Sequence, residues 1–512
     1  MKKPNVILLF VDDLGIGDLS TFNANSKIQT PNIDALAENG MKFTDSHACS
    51  SVCSPSRYGL MTGRYNFRSK LKYAVLTGDS MPLIEKNRMT LGHLFQEQGY
   101  KTACVGKWHL GLEWVLKENP KDGGLLCEEQ LYDNIIPRNG SEPTLAPLIE
   151  KAPSGLDVDY SKAITYGVNE FGFDYFFGMA ASLDQPPFVY IENNRVTDIP
   201  NAVTGELALD RLGGSMQEKW QSGVIAPSFD HNKVLKDMND KVLSLIDDYA
   251  QEEDPFFIYY PTPAVHGPLL PSENFRGKSG LNLYADVVLE LDDMVGQISA
   301  KLKEKGLEED TIFIFTSDNG CSGVADLPFL ESKGHYSSEK YKGHKFSLYD
   351  GGHRVPTIIS YPHMIEKGSV CGNNVCHTDF FATFAQLFDV ETPNNSGEDS
   401  FSNLALWQGG NTCKRNSTIY SCGSGYLAVL QNQWKLCCCC DGGLSKEILI
   451  NTYANKATPM EFELYNMETD PEEKHNLLSQ HPDIVESLKK ELDCVVYSQE
   501  NQPNLNWFQR NW

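Results

Sequence analysis

The sequence is poor in the features that mark membrane-spanning, disulfide-stapled and nucleic-acid-binding proteins. No apolar run approaches the ~20 residues that a transmembrane helix needs. Fourteen cysteines in 512 residues are too sparse for a disulfide scaffold. Only 44 basic residues face 68 acidic ones, and a net charge of −24 repels nucleic acid and anionic membranes. We therefore expect neither nucleic acid nor a membrane as a partner, and any anion site must be a local basic pocket.

A recognisable secretory leader is also missing. Lys2-Lys3 ahead of the apolar run Val6–Val11 imitates one faintly, but that run is short, ends in Asp12-Asp13 and lacks a small-residue cleavage site. The run is instead typical of a buried strand. The compartment stays unknown, and we expect either a cytoplasmic protein or a periplasmic or secreted one whose leader has been removed.

What the chain does contain is an α/β pattern. Apolar, β-branched runs alternate with helical patterns, which predicts a large, mostly parallel sheet with helices on both faces. The predicted strands are Asn5–Val11, Thr102–Gly106, Pro255–Tyr260, Thr311–Ser317 and Pro356–Tyr361. The predicted helices begin at Pro31, Pro55, Leu91 and about Leu281. The loop-rich segment from about Pro120 to Pro227 is predicted to shape a cleft at the rim of this core.

A change in composition near Thr392-Pro393 predicts a domain boundary. Residues 1–393 would form the large catalytic domain, and residues 394–512 a smaller α+β subdomain. Its predicted elements are the antiparallel strands Tyr426–Leu430, Gln433–Leu436 and Phe462–Tyr465, and the helix Pro482–Tyr497.

Polar residues follow four of the predicted strands. They are Asp12-Asp13, Lys107-Trp108-His109, the loop that ends in His266, and Asp318-Asn319. Because the carboxyl ends of parallel strands meet at one edge of a sheet, we expect these side chains to converge. Carboxylate and amide oxygens without Cys or His suit a hard cation such as Ca²⁺. Taken singly, each acidic pair could equally cap a following turn.

Several cationic side chains could form the local basic pocket. Lys107 and His109 stand at alternate positions and can face the same side. Lys345 precedes the glycine turn Asp350-Gly351-Gly352. Any one of these lysines would ordinarily be solvated, but together they predict an anion-binding site.

The pentapeptide Cys53-Ser54-Pro55-Ser56-Arg57 joins these motifs into a family signature. With Asp12-Asp13, Gly106 to Gly111, His266, Asp318 to Gly320 and Gly343 to Pro356 in this order, the chain resembles type I, formylglycine-dependent sulfatases of the arylsulfatase type. That family belongs to the alkaline phosphatase-like superfamily. The C-terminal Glu463-Leu464-Tyr465-Asn466 is similar to the family's C-terminal subdomain. Asp350 is a departure, because the family usually has Glu there, and we expect it to be structural.

The resemblance implies a complete catalytic apparatus. Cys53 would be oxidised to formylglycine (3-oxoalanine) by a maturation enzyme, the expected protein partner. One Ca²⁺ would be held by Asp12, Asp13, Asp318, Asn319 and the modified Cys53. Further catalytic roles fall to Arg57, which positions the formylglycine hydrate, to Lys107 and Lys345, which neutralise sulfate oxygens, to His109, which assists the hydrate, and to His266, which protonates the leaving alcohol.

The expected function is removal of sulfate from a sulfated carbohydrate, in the degradation of a polysaccharide. Substrate contacts are predicted for the rim residues Asp184, His335 and His353. Two alternatives stay open: hydrolysis of phosphate or phosphonate esters, and non-catalytic binding of a sulfated glycan with Cys53 unmodified.

Two further motifs receive structural interpretations. The run Cys437 to Cys440 lacks a second pair or a nearby His, so we expect no zinc site and predict a strand with alternate thiols buried. His377 and Asp379 are predicted to cap the helical stretch that follows them.

Overall fold

A computed structural model describes residues 3–117, 155–206, 217–444 and 461–497. Much of the predicted rim segment, residues 120–154 and 207–216, lies outside this range, as does the segment 445–460. The strands are β1 Asn5–Val11, β2 Met41–Phe43, β3 Ser46–His47, β4 Lys101–Lys107, β5 Tyr175–Met179, β6 Ile191–Glu192, β7 Arg195–Val196, β8 Ala202–Thr204, β9 Gly223–Ile225, β10 Phe256–Pro261, β11 Thr311–Ser317, β12 Thr357–Ser360, β13 Ser369–Cys371, β14 Val375–Cys376, β15 Thr418–Ser421, β16 Leu427–Gln431, β17 Trp434–Cys437 and β18 Glu463–Asn466. The α-helices are Pro31–Glu38, Cys53–Thr62, Leu91–Glu97, Val234–Tyr249, Leu283–Glu304, Leu327–Ser332, Asp350–His353, Asp379–Phe388, Leu404–Trp407 and Pro482–Tyr497.

The core is one ten-stranded sheet. Its strand order is β13-β2-β12-β11-β1-β10-β4-β5-β6-β7, and the five strands from β11 to β5 run parallel. On one side β12 pairs antiparallel with β11 and β2 pairs antiparallel with β12, and on the other side β6 and β7 each pair antiparallel with the strand before them. The predicted α/β class is confirmed.

The central strands form because both of their faces are covered. Every residue of β1 and of β11 is buried, which is typical of a parallel sheet between two layers of helices. One layer contains Pro31–Glu38, Val234–Tyr249 and Leu283–Glu304, which pack on one another. The five strands predicted from the sequence are all present, with bounds shifted by at most one residue.

The C-terminal part is a four-stranded antiparallel sheet, β15-β16-β17-β18, covered by the helix Pro482–Tyr497. The apolar side of this helix, which includes Leu488 and Leu492, packs with Val429, Leu436 and Leu464 of the sheet. Three of the strands and the helix agree with the prediction. Strand β15 was not predicted, and the proposed boundary at residue 393 stays a prediction.

A buried ion cluster joins the small sheet to the large domain. Lys435 of β17 contacts Asp350 (Nζ to Oδ1, 2.7 Å) and Glu473 (Nζ to Oε1, 2.8 Å). Asp350 also accepts from Arg354 at 2.7 Å. These contacts fit the structural role expected for Asp350.

Two minor predictions are wrong. Cys437, Cys438 and Cys439 are all buried, because β17 ends at Cys437 and the chain then turns inward; the side chain of Cys440 lies outside the described residues. Asp379 does not cap its own helix, since its carboxylate binds Arg415 and the backbone N–H groups of Cys376 and Phe401. His377 contacts Thr316 instead.

Within the four described ranges, none of the helices combines the length and the apolarity that crossing a bilayer requires.

Candidate active site

Cys53 is the first residue of the helix Cys53–Thr62, which begins two residues before the predicted start at Pro55. Pro55 is tolerated because first-turn N–H groups have no partner within a helix. The Cys53 side chain is buried, and its Sγ lies 3.4 Å from Asp12 Oδ1. Burial, followed by the charge of Asp12, raises the pKa of the Cys53 thiol far above its usual range. The free thiol is therefore a poor nucleophile at neutral pH.

The four oxygen-bearing residues are brought together by strand register. Strands β1 and β11 are parallel neighbours with Val11 opposite Ser317, so Asp12-Asp13 and Asp318-Asn319 leave the sheet side by side. Ligand atoms of Asp12, Asp13, Cys53 and Asp318 all lie within 4.8 Å of one another.

Asn319 completes this cluster. Its Nδ2 donates to Asp13 Oδ1 at 2.7 Å, while its Oδ1 is buried and has no hydrogen-bond partner. An unpaired buried oxygen costs ~1–3 kcal/mol, so Oδ1 is a group that a cation would satisfy.

Three cations balance the three carboxylates. Arg57 donates from Nε and Nη2 to Asp318 Oδ2, at 3.1 and 2.8 Å. Lys107 Nζ is 2.5 Å from Asp12 Oδ2, and Lys345 Nζ is 2.7 Å from Asp13 Oδ1. The six formal charges cancel. A bound divalent cation would therefore leave the pocket positive, as an anionic substrate requires.

The pKa values of Asp12 and Asp318 move in opposite directions because both carboxyls are buried close to each other. Burial and then the charge of Asp12 raise the pKa of Asp318, which Arg57 opposes. Burial would also raise the pKa of Asp12, but Lys107, His266 and Arg57 together hold it well below its usual range. When one carboxyl is ionised, ionising a second one this close costs free energy, and a cation between the two would lower that cost.

His109 has a left-handed backbone (φ 58°) that turns its ring inward after β4. Nε2 lies 2.8 Å from the Leu76 carbonyl, which only accepts, so this nitrogen carries the proton. Burial, and then Lys107, hold the pKa of His109 well below its usual range. The buried Nδ1 has no partner and is left as a hydrogen-bond acceptor.

His266 is the most exposed of the predicted catalytic side chains, at 12%. Its Nε2 is 3.6 Å from Asp13 Oδ2, and its Nδ1 is 2.6 Å from the Gly267 carbonyl. The ring therefore stands between the buried cluster and solvent, where a leaving group would depart.

Of the three predicted substrate contacts, only Asp184 lies at the site. Its Oδ1 is buried, has no hydrogen-bond partner and is 3.9 Å from His266 Nδ1. Its Oδ2 accepts from Gln221, which the sequence analysis did not single out.

His335 and His353 are corrected to structural residues. His335 uses Nε2 on Asp18 (2.9 Å) and Nδ1 on the Lys27 N–H (3.2 Å). His353 is buried, with Nδ1 on His47 and Nε2 on the Leu348 carbonyl. Both ring nitrogens of each residue are engaged, which leaves none for a substrate.

The sequence analysis also missed Phe10, whose ring lies 5.4 Å from the Arg57 guanidinium carbon. Nothing in an apolar strand marks one residue as the floor of a polar site, so no sequence signal could have found it.

Comparison with known proteins identifies the family that the chain matches. Residues 4–390 match the family model described as Sulfatase, and residues 342–498 match that described as N-sulphoglucosamine sulphohydrolase, C-terminal. An N-acetylgalactosamine-6-O-sulfatase of Bacteroides thetaiotaomicron is 31% identical over 96% of this chain and 93% of the relative. Human arylsulfatase A is 27% identical over 97% of this chain and 89% of the relative.

Solved structures agree on the fold. One from Bacteroides thetaiotaomicron, described under the metabolism of multiple glycosaminoglycans, aligns with a TM-score of 0.79 at 29% identity, over 97% of this chain and all of that one. A phosphonate monoester hydrolase of Agrobacterium radiobacter aligns with a TM-score of 0.58 at 17% identity, over 97% and 96% of the two chains. The latter similarity concerns the fold alone.

Proposed function

The chain belongs to the sulfatase family and is a sulfatase with an alkaline phosphatase-like fold. From this premise we propose that it removes sulfate from a sulfated carbohydrate. The nucleophile would be formylglycine made from Cys53, and the site would hold one Ca²⁺. The observation that carries the proposal is the convergence of Cys53, Asp12, Asp13 and Asp318 within 4.8 Å in a pocket that also holds Arg57.

The donor set fits Ca²⁺. Asp12, Asp13, Asp318 and the free Oδ1 of Asn319 offer hard oxygen atoms, which Ca²⁺ prefers. When bound, the ion supplies positive charge that offsets the charge of the sulfate group. The raised pKa of Asp318 supports the proposal, because a carboxyl crowded by a like charge is stabilised by a cation.

Formylglycine fits the position of Cys53 better than a thiol does. The conversion replaces one sulfur and two hydrogens by one oxygen, and this oxidation of the carbon needs an external oxidant together with the maturation enzyme that we propose as a partner. The aldehyde hydrate offers an oxygen nucleophile, and its second hydroxyl allows the carbonyl to reform and expel sulfate. A thiol that attacked the sulfate ester would instead stay bonded to the transferred sulfo group, because it has no second hydroxyl that could expel sulfate.

The remaining side chains take roles that follow from their positions. Lys107 and Lys345 neutralise sulfate oxygens, and Arg57 fixes both Asp318 and the Lys107 carbonyl. His109 Nδ1 accepts a hydrogen bond from a hydroxyl of the hydrate at position 53. His266, at the solvent side, protonates the departing alcohol, which is otherwise a poor leaving group.

A carbohydrate substrate is supported by the named relatives and by Asp184. The Bacteroides relative is described as acting on N-acetylgalactosamine 6-O-sulfate. The unpartnered Asp184 Oδ1 beside His266 is placed to accept from a sugar hydroxyl. Degradation of a sulfated polysaccharide is the role that we propose for such an activity.

The proposal is tested on protein purified from its native host. Mass spectrometry of the peptide that contains Cys53 should find the residue without sulfur, and the same protein should release sulfate from sulfated saccharides and not phosphate from a matched aryl phosphate. A protein that keeps the Cys53 thiol in its native host and releases no sulfate would contradict the proposal.

Calcium binding has a readout that does not depend on turnover. We expect Ca²⁺ to stabilise the folded protein, by about 2.7 kcal/mol at one hundred times the Kd, because only the folded state assembles the ligands. Thermal unfolding with and without a chelator measures this shift. Asp318→Asn should remove most of the shift. The control is Asp389→Asn, at an exposed residue that follows the helix Asp379–Phe388, and it should retain the shift. Equal shifts in both variants would exclude Asp318 as a ligand.

A further inference from the structure

Phe346 has an unusual combination of backbone conformation and exposure. Its φ is +78°, and it is the only large apolar residue with a left-handed backbone in the ranges that the structure describes. Such a conformation is strained for a bulky side chain. The side chain nevertheless stays 39% exposed, so burial in the core does not repay the strain.

The backbone of Phe346 is held on one side by the segment that leads to Cys53 and on the other by the turn between β15 and β16. Its N–H donates to the Ser51 carbonyl at 2.9 Å, two residues before Cys53, and its carbonyl accepts from the Gly423 N–H at 3.1 Å. A Cβ on Gly423 would stand 2.5 Å from Phe346 Cδ1. The absence of a side chain at Gly423 therefore gives the ring its place.

The ring lies beside one cation of the pocket. Its centroid lies 5.6 Å from Lys345 Nζ, the same ammonium that is 2.7 Å from Asp13 Oδ1. Lys345 itself is only 4% exposed. A sulfate held by Lys345 would thus carry its organic group past an exposed aromatic face.

A purely structural role explains this arrangement poorly. A cation–π contact with Lys345 needs one face of the ring but does not require the rest to remain in solvent. Asp13 and His109, the other left-handed residues of the site, are both functional candidates in buried positions. Strain of this kind collects where substrate is bound.

We propose that Phe346 is an aromatic platform on which the sugar ring that bears the scissile sulfate lies, with the apolar C–H face of the sugar against the phenyl ring. This inference rests on the proposed function and adds the residue that recognises the saccharide rather than the sulfate.

Binding measurements in an inactive Cys53→Ala background test the platform without turnover. The probes are N-acetylgalactosamine 6-sulfate and other sulfated monosaccharides, with inorganic sulfate as the anion alone. Adding Phe346→Ala should weaken the Kd for a saccharide that the parent binds by about 5- to 10-fold, as expected for one aromatic contact. The Kd for inorganic sulfate should be unchanged, and Phe346→Tyr should restore saccharide binding.

Two further variants separate recognition from folding. Phe346→Gly should lose the same saccharide affinity without lowering the thermal midpoint, because glycine adopts a φ of +78° without strain. Phe401→Ala, at a phenylalanine exposed to a similar extent (36%), should leave the saccharide affinity unchanged.

Unchanged saccharide binding in Phe346→Ala would overturn the inference. So would an equal loss of saccharide and inorganic sulfate binding, because that would show that Phe346 only supports Lys345. Failure of the proposed function would appear differently, as a wild-type protein that binds these sugars but releases no sulfate.

Discussion

Cys53→Ala is expected to lower sulfate release about 10⁴- to 10⁶-fold, the scale on which removal of a catalytic nucleophile acts. The residue touches Asp12 and occupies the first turn of its helix, so its replacement removes the reacting group and leaves its charged neighbours in place. Sulfate released from a sulfated saccharide, quantified by ion chromatography, measures the effect.

The unconverted thiol should be as inactive as alanine. Burial and Asp12 keep the pKa of Cys53 far above neutral pH, so the thiolate that could attack is scarcely populated. Protein made together with the proposed maturation enzyme should therefore be active, and protein made without it should match Cys53→Ala. Cys494→Ala, at an exposed cysteine of the C-terminal helix, is the matched control and should be fully active. Substantial sulfate release by Cys53→Ala would mean that another group is the nucleophile.

The centre of the site could be predicted because it follows from the sheet. Strands β1 and β11 are recognisable as apolar runs, and parallel register then places Asp12 beside Asp318 although 306 residues separate them. The same reasoning located Lys107 at the end of β4. Here sequence order and strand direction determine the geometry.

The rim could not be predicted in this way. In the sequence, His335 and His353 look like exposed loop residues. In the structure each makes a hydrogen bond to a residue far away along the chain, His335 to Asp18 and His353 to His47. Only the folded structure shows which polar residue is paired. Phe346 could not be predicted either, because the residue type alone reveals neither its left-handed backbone nor its exposure.

The C-terminal cysteines show the same limit from the apolar side. A strand pattern predicts alternate burial, but β17 ends at Cys437 and the next two thiols turn into the interface between the small sheet and the large domain. Burial there is decided by packing between two parts of the chain, which local periodicity does not contain.

His266→Ala is expected to lower turnover of sulfated sugars about 10²- to 10⁴-fold, the contribution of a positioned general acid. A sugar alkoxide needs a proton as it departs, whereas nitrophenolate is a stable anion. The same variant should therefore hydrolyse 4-nitrophenyl sulfate with a loss of no more than about tenfold. His475→Ala, at an exposed histidine, is the control and should act like the wild type on both substrates.

The dependence on the leaving group distinguishes proton donation from the other roles that His266 could fill. His266 lies 3.6 Å from Asp13, so it could also order the proposed metal ligands, and that role would affect both substrates equally. Lys107→Ala provides the comparison: the role that we propose for Lys107 concerns the sulfate group, which the two substrates share, so its loss should slow both to the same extent. If His266→Ala behaves like Lys107→Ala, the proton reaches the leaving group from elsewhere. If instead only the sugar sulfate suffers, the partial exposure of His266 is explained, because the residue must meet each departing alcohol at the edge of an otherwise buried site.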